Sequence, residues 1–148
     1  MKKLVICILA LLTFTGLAFA QRGLNCYPVF KGKIVPLNRM IVTEVRGEEM
    51  ATYKLSYFKS VRFQTDSLMA GKVAELVEAD ILATESSEHV KNGDLLTYAM
   101  AQLKPLGITK RCLCYQAKKT NTGDWIITLL YLEGSATLED LRSMFEKQ

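Results

Sequence analysis

The residues best equipped for chemistry are the sulfurs. Cys112 and Cys114 stand two apart in an apolar run, Thr109–Lys118, that reads as a strand, so both side chains fall on one face. Such a pair could act as a dithiol redox couple. With Cys26 and His89 it also reaches the Cys₃His count of a structural zinc site. Neither chemistry has its usual setting. A redox thiol is activated at a helix N-terminus or beside a cation, and this pair lies mid-strand. Structural zinc sites are built on Cys-x₂-Cys knuckles; the chain has none, and His89 is its single histidine. Two positions along a strand place Cα atoms about 6.5–7 Å apart, the outer limit for a disulfide. If a bridge forms, Cys26 with one of the pair is the better match, closing a long loop worth roughly 4–5 kcal/mol on the chain-entropy model. The expectation is three buried thiols packing as small hydrophobes, with thiol chemistry at Cys112 and Cys114 as the alternative.

Other chemistries have weaker support. Ser86, Ser87 and His89 are neighbours in sequence, but a hydrolase nucleophile needs a strand–elbow–helix turn, and this stretch has none. Glu48, Glu49, Glu85 and Glu88 read as solvated charges rather than a carboxylate pair facing across a cleft. Asn121–Asp124 lacks the alternating acidic positions of a calcium loop. No catalytic residue, cofactor or metal is assigned, and the expectation is a non-enzymatic domain. Aromatic residues with an arginine among them, Tyr53, Tyr57, Phe58 and Arg62, make a candidate interaction surface, because these residue types are favoured at interface centres. The same spacing also suits core packing.

The N-terminus carries the most specific signal. Met1-Lys2-Lys3 is a basic start, Leu4 to Leu17 an apolar run, and Ala18-Phe19-Ala20 a small-x-small cleavage site before Gln21. This is the pattern of a secretory signal peptide over residues 1–20. It leaves residues 21–148 as one exported domain with room for a core. Threonines and Gly16 dilute the apolar run, which is short for a membrane anchor, and no second run is long enough to span a bilayer. Loss of Lys2 and Lys3 lowers the formal charge from +4 to +2. The basic residues are scattered, which argues against nucleic acid as a partner. Cys7 falls inside the apolar run, so three cysteines remain after cleavage.

The elements that must position these residues concentrate in the last third. Asp94–Leu103, Thr109–Lys118 and Trp125–Glu133 read as strands. Pro105 and Gly107 mark the first turn, and Lys118–Asp124 the second. The Trp125–Leu132 run is apolar on both faces, as a central, doubly covered strand is. Thr137-Leu138-Glu139-Asp140 fits a capping box opening a helix over Thr137–Lys147. Upstream, Met40–Val45 and a stretch near Tyr57–Gln64 read as strands. Asp66 or Thr65 caps a helix running to about Ile81, with Met69, Val73, Leu76 and Val77 as its apolar stripe. Ala83–Gly93 reads as a polar, mobile connector. The sum is an α+β fold of about five mostly antiparallel strands, with two helices packed on one face.

Several of these stretches resemble a known family: Tyr53-Lys54-Leu55, Val77-Glu78-Ala79-Asp80, the run from Tyr131 through Gly134 to Leu141, and Met144-Phe145. They are similar to a family of small exported Bacteroidetes proteins classed as a domain of unknown function. The resemblance implies a single exported α+β domain and carries no site residues. The expectation for function is therefore an exported module that binds a protein or small-molecule partner in the cell envelope, periplasmic or secreted.

Overall fold

The structure, a computed structural model, describes residues 23–84 and 86–146. The expected leader, residues 1–20, lies outside them. After one helical turn, α1 (Tyr27–Phe30), come β1 (Ile41–Arg46), β2 (Leu55–Thr65), α2 (Ser67–Leu82), β3 (Ser86–Asn92), β4 (Leu95–Leu106), β5 (Thr109–Lys119), β6 (Trp125–Gly134) and α3 (Leu138–Glu146). The six strands form one antiparallel sheet in the order β1-β2-β6-β5-β4-β3. The fold class is α+β.

Period-2 alternation divides the apolar residues between two faces. On the first, Val61, Phe63, Ala101, Leu113, Tyr115, Ile127, Leu129 and Tyr131 pack with Val73, Val77 and Ile81 of α2 and with Cys26, Val29, Phe30 and Val35 of the N-terminal segment. On the second, Met100, Cys112, Cys114 and Leu132 pack with Leu141 of α3. β6 sits between β2 and β5 and contributes to both cores, as its two-sided apolar run requires.

The helix starts follow local chemistry. Asp66 caps α2 by accepting from the Met69 amide at 2.8 Å. At α3 the capping box is complete: Thr137 Oγ1 accepts from the Asp140 amide at 3.1 Å, and the Asp140 carboxylate accepts from the Thr137 amide at 2.9 Å. The β4–β5 turn is Gly107-Ile108, with Gly107 at φ 61° in the position that hairpin turns reserve for glycine. Pro105 lies where the β4–β5 register shifts, between Leu103 and Leu106, a place where the ladder needs no amide donor.

Two expectations require correction. The Ala83–Gly93 connector contains a sixth strand, β3. Its Glu88, His89 and Lys91 read as loop because they are polar, yet charge is what protects an edge strand from further pairing. Glu88 pairs with Arg142 of α3, Lys91 with Glu78 of α2, and the register shifts between Val90 and Lys91. The two helices also do not share a face. Strands β4 to β6 are apolar at both parities, so each face needs its own cover, and α2 and α3 supply it from opposite sides.

Candidate functional site

The three thiols are buried and free. Cys112 and Cys114 lie under α3, while Cys26 lies with α2 on the other side of the sheet. The backbone between them keeps Cys26 from bridging to either. Burial pushes the Cys112 thiol up to about 11, slightly offset by Lys110, and pushes Cys114 and Cys26 higher; at Cys26 the Asp80 carboxylate adds to the effect. A nucleophilic thiol needs the reverse shift. Among the described residues no three His, Cys, Asp or Glu side chains converge as metal ligands.

The aromatic group is divided by the pleat. Tyr57 is buried on the α2 face, edge-on to Tyr131 at 6.0 Å between centroids, with the Arg46 guanidinium 4.8 Å above its ring. Phe58 points to the α3 face and is half-buried there, and Arg62 is exposed on that same face. Tyr53 stands in a 3₁₀ turn, Glu48–Tyr53, and is exposed. The four do not share one surface.

Close to Tyr57 lies a polar inlay that sequence reasoning missed. The Tyr131 hydroxyl donates to Glu133 Oε1 at 2.7 Å, both side chains are buried, and Arg111 also reaches Tyr131. Burial and the Glu133 carboxylate push the Tyr131 hydroxyl up. The available signal was a glutamate closing an otherwise apolar strand. These groups satisfy one another, and the inlay orders one end of the core.

What remains open is half of the α3 face. α3 crosses the sheet from Lys54, whose ammonium approaches Asp140 at 3.4 Å, to Glu88 of β3. It covers the rows through Leu132 and Leu130. Beyond it two rows are only partly covered: Tyr98 still packs on the α3-side core, and Tyr98, Ile126 and Thr128 are half-buried. One runs Ile41, Arg62, Thr128, Gln116, Tyr98, Val90 across all six strands; the other holds Gln64, Ile126 and Lys118. Arg62, Gln64, Gln116 and Lys118 are exposed, and Ile41 is 69% exposed. The rows carry two cations and four side-chain amides or hydroxyls, with apolar side chains between them. Asp124 stands at the rim, accepting from Gln64 at 3.2 Å. Chemically this is a flat hydrogen-bonding platform with a positive bias and no nucleophile. Its signal in the sequence is the polar residue at alternate positions near one end of each strand, sharing parity with Cys112 and Cys114 on β5.

The sequence model of a family of unknown function matches residues 13–145. The chain belongs to that family, DUF6108. The DUF6108 region takes in the whole sheet and α2, and it reaches into the last turn of α3. The two stretches Tyr53-Lys54-Leu55 and Gly134-Ser135-Ala136 meet in space: the Lys54 carbonyl accepts from the amides of Ser135 at 2.9 Å and Ala136 at 3.0 Å. No curated protein and no solved structure matches the chain.

Proposed function

We propose that this DUF6108 chain is an exported, non-catalytic domain that binds a polar, anionic partner of the cell envelope on the open half of its α3 face. The observation that carries the reading is the set of exposed polar side chains in these two rows. Arg62 and Lys118 stand on a platform of Gln64, Gln116 and Thr128, while the remainder of the same face is sealed by α3. Amides and hydroxyls on a rigid sheet recognise a partner by hydrogen bonds, and the two cations favour negative charge. Export rests on the leader pattern of residues 1–20. The alternative, an exported thiol–disulfide protein working through Cys112 and Cys114, would require thiols that are accessible and acidic; here burial acts against both.

The test is native mass spectrometry of the chain recovered from its own cell envelope, repeated with Arg62→Glu/Lys118→Glu. A bound mass on the natural chain that falls at least tenfold in occupancy on the double variant supports the reading. A bound mass indifferent to the double variant moves the site elsewhere. A chain two hydrogens lighter than its sequence, restored by mild reductant, would favour the thiol alternative.

A further inference from the structure

The β4–β5 hairpin carries a second exposed feature, unrelated to the open rows. β3 begins opposite Gln102 and β6 ends opposite Lys110, so the end of the hairpin stands beyond both flanking strands. Its tip is apolar. Ile108 is 100% exposed and Leu106 48% exposed, with Pro105 and Gly107 between and beside them. At its base stand Lys104 and Lys110, neither of which forms an ion pair among the described residues. A fully exposed isoleucine at the point of a two-residue turn buries none of its side chain in this fold. An apolar point above a pair of cations matches the depth profile of a lipid surface, with acyl chains beneath anionic headgroups.

A second observation orients the molecule. The described chain starts at Gly23, and its next residues are fixed at the far end of α2: the Asn25 amide donates to Asp80 Oδ1 at 2.6 Å and the Cys26 amide to Asp80 Oδ2 at 2.9 Å. One half-turn beyond Asp80, Leu82 is exposed, and the following residues, Ala83 and Thr84, share a cleft of about 530 Å³ with Lys104 and Pro105. The first described residues and the hairpin tip are therefore at the same end of the domain.

We infer that this end is a membrane-facing end, and that the Leu106–Ile108 tip inserts shallowly into an anionic phospholipid surface while Lys104 and Lys110 engage the headgroups. The inference rests on the export reading but not on the open rows. Each lysine adds about fivefold to binding on an anionic bilayer. Two aliphatic side chains give a weak, reversible association rather than an anchor.

The test is co-sedimentation of the processed chain with phosphatidylcholine vesicles, with and without phosphatidylglycerol. The natural chain is expected to partition onto the phosphatidylglycerol vesicles, to release with added salt, and to bind phosphatidylcholine alone far less. Ile108→Asp should lower partitioning by roughly tenfold or more, and Lys104→Gln/Lys110→Gln by about twenty-fivefold. Ile108 and Lys104 are exposed and Lys110 is half-buried, and an unchanged thermal transition checks that both variants fold. No partitioning of the natural chain, or partitioning equal in all three proteins, overturns the inference. A recovered mass that retains residues 1–20 overturns the leader reading, while the ratio of variant to natural partitioning still decides the tip.

Discussion

Asp80 ties the first described residues of the chain to a helix more than fifty positions away in sequence. Its carboxylate accepts from the amides of Asn25 and Cys26 and from the Asn25 side chain at 3.0 Å, and Asp80 is itself buried. Replacing it with alanine leaves the buried Cys26 amide without a partner, and Asp80→Ala is expected to cost about 3 kcal/mol in a urea unfolding series. Tyr115 presents the converse. Its hydroxyl is buried and meets no hydrogen-bonding atom among the described residues, and burial pushes it up. Tyr115→Phe removes a desolvated group at constant shape, so stability should stay level or rise by about 1 kcal/mol. The cysteines give a pH dependence. With Cys112 raised from an ordinary 9.0 to about 11, folding favours the neutral thiol. That contribution is complete below pH 9 and is lost as the pH climbs towards 11. Iodoacetamide at pH 8 should label none of Cys26, Cys112 and Cys114 in the native protein and all three in urea. Labelling in the native state would contradict the burial described above.

At the scale of elements, local signals that stay within one turn of chain were readable. The α3 capping box needed only Thr137 and Asp140, and it is present in both directions. Hydrogen bonds from the Thr137 amide and hydroxyl partner, with Lys54 beside them, hold the Asp140 carboxyl below its usual value. A depressed carboxyl stabilises the fold above its unfolded value of 3.8 and loses that effect as the pH falls through the folded one. Asp140→Asn should therefore lower the melting temperature at pH 7, and the gap to the natural chain should close below pH 4. β3 was not legible, because an edge strand is written in the same polar residues as a loop, and only its pairing with β4 distinguishes them. The end of the strand at Glu133 was legible, but the contact that Gly134 makes was not. A Cβ there would lie 2.7 Å from the Leu55 Cα and collide with the Lys54 carbonyl. Gly134→Ala should cost several kcal/mol, as read by chemical denaturation, since both obstacles are backbone.

For the whole molecule, composition and period told of an α+β domain with a central β6. They did not tell which face each helix would take, because strands apolar at both parities accept a helix on either side. The open platform was hidden for a related reason. Gln64, Gln116 and Thr128 are unremarkable one at a time, and only the register of three strands places them in neighbouring rows. Tyr57 and Phe58, adjacent in sequence, were separated by the pleat for the same cause.

The pairing of β2 with β6 sets the order in which this protein can be built. β2 closes at Thr65, yet its inner neighbour starts only at Trp125, and the core over α2 draws on β6 at Ile127, Leu129 and Tyr131. Until those residues exist, the β1–β2 hairpin and the β3–β4–β5 meander have no strand between them, and α2, packed on β4, is what links the two parts. Pairings this distant in sequence are closed slowly. The export proposed above would have the chain cross its channel before this pairing is complete. Closure of the whole sheet waits for the last segment to arrive.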